Sequence, residues 1–275
     1  MSTQPLKSGA SIPRVGLGTW QMGAEQTQAA VESALELGYK HLDTAERYQN
    51  QPQIGLALSQ VQAQIKRSEL FITSKVWPDG LTAELVEPAL HQTLEELGIE
   101  YLDLWLIHWP MPGLDVPGVL AEMNRLQDQG LIKHQGVSNF TCAMMANLPA
   151  DHRVEVNQIE YHPSLHQEKI LHCLQGLGMV VSAYSPLVQG DDLKLPLIIE
   201  LATKYQVTPA QVALSWLLKK EIVVLPRSST RAHQAENLAA LDVELSSEDH
   251  QAIDDLDLWH RLVSKPEWVD LDSDR

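Results

Sequence analysis

Cysteine is scarce in this chain of 275 residues, which contains only Cys142 and Cys173. The two cysteines lack CxxC spacing and have no partners in a metal-ligand pattern, so the sequence indicates no metal site. We expect two reduced thiols, as is usual in a cytoplasmic protein.

Basic residues are also few, with 20 lysines and arginines against 36 acidic residues and a net charge of −16. Nucleic acid needs a basic face on its partner, so this balance argues against nucleic-acid binding. No apolar run reaches the roughly 18 residues of a membrane span, and the N-terminal stretch MSTQPLKSGASIP lacks the apolar core of a signal peptide. We therefore expect a cytoplasmic protein without a membrane partner.

The glycine pattern of a Rossmann fold is missing as well. The stretch VGLGTW at 15–20 has two glycines, but Trp20 and Gln21 stand where the GxGxxG pattern has its last positions. We reject a Rossmann fold on this ground.

What the chain does contain is a regular alternation of strand and helix patterns. The strand candidates are 15–20, 40–43, 70–75, 101–108, 133–137, 154–160, 179–184 and 222–226. Each is followed by a helix pattern, such as the apolar stripe over 83–97 that ends before Gly98. Near-continuous apolar strands are typical of a parallel sheet covered by helices. Strand count and chain length together predict an α/β fold, a (β/α)₈ TIM barrel.

Nothing in the composition divides the chain, so we predict one domain over residues 1–275. A short lead-in with a hairpin through 7–10 precedes the barrel, and an acidic tail follows it at 265–275. Capping boxes at Thr208–Gln211 and Ser246–Asp249 predict two helix starts.

The predicted strand ends are polar, and barrel enzymes carry their chemistry there. These ends bear Trp20, Asp43, Lys75, His108, Ser138–Asn139, Gln158–Glu160, Tyr184–Ser185 and Arg227–Ser228. Taken singly, each has an ordinary structural explanation: a turn cap, a solvated lysine, a satisfied histidine or a packed tyrosine. Taken together, they indicate a pocket.

Asp43, Tyr48, Lys75 and His108 make chemical sense as a unit. A free phenol has a pKa of about 10, and a nearby ammonium stabilises the phenolate and lowers that pKa. Asp43 would hold the Lys75 ammonium beside Tyr48, and His108 would orient a carbonyl oxygen. This predicts Tyr48 as general acid for a carbonyl that gains negative charge, with a hydride donor completing the reaction.

At these residues the sequence resembles the aldo-keto reductase family, over essentially its whole length. The matching motifs are GLGTW at 16–20, GYKHLDTAERYQNQPQIG at 38–55, SK at 74–75, LIHWP at 106–110, GVSNF at 136–140, NQIEYHP at 157–163, AYSPL at 183–187 and LPRSS at 225–229. The second motif has Lys40 for the usual arginine and Gln51 for the usual glutamate. The resemblance implies a barrel, NADPH as cofactor, an aldehyde or ketone substrate, and the four residues above as the catalytic tetrad.

The short loop after Trp109 and the stretch RLVSKPEW at 261–268 resemble the bacterial diketogluconate and methylglyoxal reductase branch. This implies methylglyoxal-like or keto-sugar-acid substrates and a monomer. The implied substrate contacts are Trp20, Trp77 and Trp109. Core packing is the alternative role of these tryptophans.

The resemblance also implies a row of cofactor contacts. From nicotinamide to adenine these are Ser138, Asn139, Gln158, Tyr184, Ser185, Leu187, Arg227, Ser228, Glu236 and Asn237. A guanidinium suits the 2′-phosphate of NADPH better than a neutral ribose, so Arg227 favours NADPH over NADH. His233 replaces an arginine that is usual in the family, and Arg231 lies close enough in sequence to substitute for it.

Two other functions remain open at this point. A barrel lyase could use Lys75 as a Schiff-base nucleophile, although Asp43 and the LPRSS motif argue against it. A non-catalytic nicotinamide-sensing subunit, like the channel β-subunit relatives of the family, would share the same four residues.

Overall fold

The structure, a computed structural model, describes residues 2–256, 258–264 and 266–273. The chain begins with an antiparallel hairpin of β1 (Thr3–Pro5) and β2 (Ser11–Pro13), as the sequence predicts. Eight parallel strands follow: β3 (Leu17–Gly18), β4 (His41–Asp43), β5 (Phe71–Val76), β6 (Leu102–Ile107), β7 (Ile132–Ser138), β8 (Val154–Glu160), β9 (Val180–Tyr184) and β10 (Val223–Leu225).

The eight strands pair in chain order and close into a barrel. Parallel bridges from Val15 to Val224 and from Gly18 to Arg227 join the first strand to the last. A Cβ atom at Gly18 would lie 2.7 Å from the backbone oxygen of Leu225, so only glycine allows this close approach. The predicted (β/α)₈ architecture is confirmed, although β3 is shorter than the predicted strand 15–20.

Helices follow every barrel strand and cover its outer face. They are α1 (Ala24–Glu36), α2 (Gln51–Val61), α3 (Ala83–Leu97), α4 (Val116–Asp128), α5 (Cys142–Ala146), α6 (Glu168–Gly176), α7 (Pro196–Tyr205), α8 (Pro209–Lys219), α9 (Arg231–Ala239) and α10 (Ser247–Asp254). Helix α3 has the predicted bounds because its apolar stripe, including Val86 and Leu90, is buried against the barrel. Gly98 ends it in the left-handed conformation, with φ of 61°.

The core has two layers. An outer layer lies between the strands and the helices. An inner layer lies inside the barrel, where Phe71 and Leu104 pack with Leu6 and Ile12 from the hairpin segment. The hairpin segment thus packs against the interior of the barrel, at the amino ends of the strands.

The two predicted capping boxes differ in outcome. At Thr208 the hydroxyl accepts from the Gln211 amide and the Gln211 side chain accepts from the Thr208 amide, so this box is complete. At Ser246 the hydroxyl accepts from the Asp249 amide, but the Ser246 amide donates to Tyr205 Oη and not to the Asp249 carboxylate, so this box is incomplete.

Cys142 and Cys173 form a disulfide, so the prediction of two reduced thiols is wrong for this structure. They lie 31 positions apart in sequence, but α5 and α6 follow the neighbouring strands β7 and β8. The barrel therefore brings the two residues together, with their Cα atoms 6.3 Å apart.

The C-terminal segment packs back onto the barrel. Val269 and Leu271 are buried against Trp109. Lys265, Asp274 and Arg275 of the predicted acidic tail lie outside the described residues. None of the described helices has the length and apolar character needed to cross a membrane.

Candidate active site

A cavity of about 700 Å³ is built from segments that follow the barrel strands. The residues predicted for the site line this cavity with two exceptions, Lys75 and Ser228. The carboxyl ends of parallel strands meet at one face of a barrel, and this topology brings residues from all parts of the sequence into one cavity.

Lys75 lies beneath the cavity wall and connects two of the other predicted catalytic residues. Its Nζ donates to Asp43 Oδ1 at 2.6 Å, to the Thr44 carbonyl at 2.8 Å and to Tyr48 Oη at 3.2 Å. The side chain is only 1% exposed and that of Asp43 is 5% exposed. Each of the three ammonium protons has an acceptor, which is what a buried charge requires.

Tyr48 retains its proton more firmly than the sequence predicts. Burial raises its pKa well above the usual value, and the Asp43 carboxylate raises it further. The expectation of a net lowering is wrong in direction, because the loss of water and the nearby carboxylate disfavour the phenolate more than the ammonium favours it. Tyr48 is therefore a neutral phenol with its hydroxyl hydrogen available for donation.

His108 follows β6 and lies beside Tyr48. Their ring centroids are 5.7 Å apart in an edge-on arrangement, and the Trp77 ring is 5.3 Å away on another side. Burial lowers the pKa of His108 well below its usual value, and the charges of Lys75 and Arg47 lower it further. The imidazole is therefore neutral and offers one N–H donor, while its Nδ1 is buried without a hydrogen-bond partner.

Gln158, on β8, reaches across the barrel to the catalytic carboxylate. Its Nε2 donates to Asp43 Oδ2 at 2.8 Å, and its Oε1 is buried without a partner. Asn139 has φ of +63°, a conformation that is uncommon outside glycine. Its side chain accepts from Tyr184 Oη at 2.8 Å and donates to Ser138 Oγ at 3.0 Å, so the three residues are fixed relative to one another.

The cavity continues past β9 and β10. Ser185, with φ of +50°, and Leu187 line it beyond Tyr184. Glu236 and Asn237 of α9 line its far end. Ser228 is buried and bonds within its own turn to Thr230, so the structure does not place it on the cavity wall.

Arg227 and His233 line the same end of the cavity. Arg227 is exposed, and its Nη2 donates to the Gln21 carbonyl at 3.1 Å. Arg231 instead forms an ion pair with Glu36 at 2.8 Å on the outer surface and does not line the cavity. The suggestion that Arg231 substitutes for the usual arginine is therefore not supported by its position.

The three predicted tryptophans all line the cavity, at different depths. Trp20 is 38% exposed, whereas Trp109 is 8% exposed and packs against the C-terminal segment. Trp77 is partly buried and contacts His108. Their place on the wall, rather than in the closed core, favours the interpretation as pocket residues over core packing.

Sequence reasoning missed several residues of the cavity. These are mainly Arg47, Gln21, Gln189, Val263 and the first turn of α8 from Thr208 to Ala210. Arg47 could have been found because it directly precedes Tyr48 in the loop after β4. Gln21, Gln189 and Val263 come from loop segments and from the tail, whose course no local pattern reveals. The start of α8 is predicted from its capping box, but nothing local shows that it reaches the cavity.

No set of three or more histidine, cysteine or acidic side chains within the described residues is arranged to hold a metal ion.

Comparison with known proteins gives a consistent result. The family model described as the aldo/keto reductase family matches residues 14–191 and 192–258. The methylglyoxal reductase DkgB of Salmonella typhi is 38% identical over 92% of this chain and 96% of that protein. The methylglyoxal reductase DkgA of Salmonella typhimurium is 39% identical over 95% of this chain and 96% of that protein.

Solved structures agree in fold. An aldo-keto reductase of Bombyx mori in complex with NADP is 32% identical, with a TM-score of 0.92 over 97% of this chain and 96% of that one. The aldose reductase of Schistosoma japonicum is 36% identical, with a TM-score of 0.90 over 96% of this chain and 94% of that one. The predicted family, the barrel and the class of NADPH-dependent oxidoreductase are thus confirmed, and the chain belongs to the aldo/keto reductase family.

Proposed function

We propose that this protein reduces aldehydes and ketones to alcohols with NADPH, using Tyr48 as the general acid. The observation that carries the proposal is the Tyr48 hydroxyl at the cavity wall, hydrogen-bonded to a buried lysine that is itself paired with Asp43. A carbonyl oxygen that gains negative charge needs a positioned proton donor, and this arrangement supplies one.

Each of the four residues has its own role in the proposed reaction. Tyr48 Oη gives its proton to the carbonyl oxygen as negative charge develops there. The Lys75 ammonium, donating to Tyr48 at 3.2 Å, stabilises the negative charge left on the phenol oxygen. Asp43 holds Lys75 in place, and the neutral His108 offers an N–H to the same carbonyl oxygen. NADPH, when bound, supplies the hydride.

The cavity residues fit a nicotinamide cofactor. The buried Gln158 Oε1 has no partner in the protein and suits the N–H of a carboxamide. Ser138 and Asn139 would bind the same carboxamide, with Tyr184 stacked on the ring. Toward the other end, Ser185 and Leu187 would line the pyrophosphate path, as predicted.

The far end of the cavity supports a preference for NADPH over NADH. The exposed Arg227 would pair with the 2′-phosphate, and Ser228 stays a prediction for the same role. Glu236 and Asn237 lie where an adenine would follow. His233, on the same wall, replaces the arginine that is usual in the family.

For the substrate we propose a small methylglyoxal-like carbonyl compound or a keto-sugar acid. The methylglyoxal reductases among the relatives support the first. Trp20, Trp77 and Trp109 would form the aromatic wall around it. The single-domain organisation, monomeric state and cytoplasmic location stay predictions, the last despite the disulfide.

A Schiff-base mechanism is disfavoured by the surroundings of Lys75. All three of its protons are donated to protein acceptors, and the side chain is buried below the cavity. Schiff-base chemistry needs a free amine that can reach a substrate carbon.

The test is the loss of reduced-nicotinamide absorbance, with NADPH and NADH run in parallel against methylglyoxal, a diketogluconate and an aromatic aldehyde. We expect turnover with NADPH well above that with NADH. Tight cofactor binding without any turnover would favour the sensing-subunit function instead. Absence of cofactor binding, measured by tryptophan fluorescence, would contradict the proposed site as a whole.

A further inference from the structure

Arg47 lies in the short turn Glu46–Tyr48, directly before the proposed general acid, and it lines the cavity. Its guanidinium lies over the Trp77 ring, 5.2 Å from the ring centroid. A cation over an indole face is held in position while its N–H groups stay available for other partners.

Arg47 differs in its bonding from the other described arginines. Those bond to carboxylates or backbone carbonyls: Arg14, Arg67, Arg125, Arg153, Arg227, Arg231 and Arg261. The exposed guanidinium of Arg47 makes no hydrogen bond and no ion pair with any described residue. In a chain with a net charge of −16, a guanidinium left unpaired on a cavity wall is a binding group without a partner in the protein.

The nearby acidic groups do not neutralise it. The Asp43 carboxylate is shared between Lys75 and Gln158. Glu46 Oε2 accepts from the Trp77 backbone amide at 3.1 Å, and no ion pair joins Glu46 to Arg47 among the described residues. The positive field reaches the reaction centre, since Arg47 contributes with Lys75 to lowering the pKa of His108.

A row of ring contacts connects Arg47 to the proposed catalytic residues. Arg47 covers Trp77, the Trp77 ring meets His108 edge-on at 5.3 Å, and His108 meets Tyr48 edge-on at 5.7 Å. A group bound by Arg47 would therefore lie on the Trp77 side of the cavity, next to the residues proposed to hold the carbonyl. A substrate that used both would have a few carbon atoms between its anionic group and its carbonyl.

We propose that Arg47 is a specificity-determining residue that binds the carboxylate of an oxo-acid substrate while Tyr48 protonates the carbonyl. This rests on the proposed reductase function and names the substrate class of the same cavity. The expected class is acyclic or sugar-derived acids with an aldehyde or ketone a few carbons from the carboxylate. Arg47 is exposed at the cavity mouth, where its guanidinium can meet an incoming anion. Guanidinium and carboxylate match in geometry and charge.

The test compares 4-oxobutanoate with butanal, which has the same carbon chain without the carboxylate. We expect wild-type kcat/KM to favour 4-oxobutanoate and the Arg47→Gln variant to lose at least about tenfold of that preference, mainly through KM. Arg47→Lys should keep more of the preference than Arg47→Gln because it keeps the charge. Arg153→Gln, an exposed arginine that does not line the cavity, is the matched control.

A second measurement does not depend on turnover. Butanoate should quench the tryptophan fluorescence of the wild-type protein more strongly than butanamide does, and Arg47→Gln should remove that difference. The idea is overturned if Arg47→Gln keeps the wild-type preference, or if it loses activity equally on both substrates. Wild-type reduction of butanal and methylglyoxal with NADPH tests the reductase function separately, so failure of the two proposals can be told apart.

Discussion

Two buried charge clusters occupy the carboxyl end of this barrel, and they have different designs. The first, the cavity cluster, consists of Asp43, Lys75, Tyr48 and His108. The second, the tail cluster, consists of Glu160, His162, Ser164 and Asp192, which are all less than 5% exposed. Both place a buried basic side chain beside buried carboxylates. Asp43, Tyr48 and His108 of the first cluster line the large cavity, whereas the residues of the second do not.

In the tail cluster, the side chains are paired with one another and with backbone amides. His162 Nε2 lies 3.0 Å from Glu160 Oε1 and its Nδ1 lies 3.3 Å from Asp192 Oδ2. Glu160 also accepts from the backbone amides of Leu262 and Val263, at 2.6 and 3.2 Å. The carboxylate thereby attaches the C-terminal segment to the barrel, and that segment supplies Val263 to the cavity wall.

The pKa values of the histidines in the two clusters show the consequence of these surroundings. Burial lowers the pKa of His108, and the neighbouring cations lower it further. Burial also acts to lower the pKa of His162, but its hydrogen bonds to Asp192 and Glu160 outweigh this and raise the pKa overall. A buried charge cluster is therefore not evidence of a catalytic site by itself. What distinguishes the cavity cluster is its unpaired polar atoms, on His108 and on the adjoining Gln158.

The largest effect on stability is expected from Glu160→Gln. The substitution removes a buried carboxylate from between His162 and the tail amides, and breaking such a pair typically costs about 3–5 kcal/mol. We expect the free energy of unfolding in urea to fall by roughly that amount. Limited proteolysis should cut the C-terminal segment first.

The control for this variant is Glu25→Gln, since Glu25 is exposed on the first turn of α1 and has no ion pair among the described residues. Its stability should stay within about 0.5 kcal/mol of wild type. A loss of less than about 1 kcal/mol in Glu160→Gln would mean that the tail cluster does not anchor the segment.

In contrast to Glu160→Gln, the Tyr48→Phe variant should lose activity and keep its stability. It removes the proton donor and leaves the ring in place, so we expect reduction to fall by at least about 100-fold while NADPH affinity and thermal stability stay near wild type. Tyr101→Phe is the matched control, because that ring contacts Arg67 and Lys133 away from the cavity. Near wild-type turnover in Tyr48→Phe would rule out the proposed mechanism.

Arg227→Ala tests the far end of the cavity and should have a smaller effect. Loss of a charge-assisted contact to the 2′-phosphate is expected to weaken NADPH about tenfold, with little change for NADH. Arg231→Ala should leave both affinities unchanged, because Arg231 is paired with Glu36. Equal weakening of both cofactors in Arg227→Ala would remove Arg227 from this role.

The sequence predicts the fold well because the repeating pattern determines the topology. The helix 83–97 has its predicted bounds, and the strand ends carry the residues that meet in the cavity. The barrel brings strand ends together whatever their separation in sequence. Asp43 and Gln158 are 115 residues apart and are hydrogen-bonded at 2.8 Å. This is why the sequence alone predicts that Asp43, Lys75 and Tyr48 form one group.

What the sequence does not predict depends on burial and on side-chain direction. The raised pKa of Tyr48 follows from loss of water, which no motif records. Gln158 and Glu160 lie two residues apart on β8, yet one side chain reaches Asp43 and the other reaches His162 and the tail. The Cys142–Cys173 pairing likewise depends on how two neighbouring helices lie side by side.

The smallest expected effect is a pH dependence of the tail cluster. The folded pKa of His162 is raised above its unfolded value of about 6.5. Its contribution to stability is therefore fully present below pH 6.5 or so and is lost as the pH rises through the raised folded pKa. His162→Asn cannot carry the charge, so its deficit relative to wild type in urea unfolding should shrink as the pH rises. An equal deficit in the free energy of unfolding at pH 5.5 and pH 9 would show that His162 is not charged between Glu160 and Asp192. The proposed contrast between the raised pKa of His162 and the lowered pKa of His108 would then be wrong.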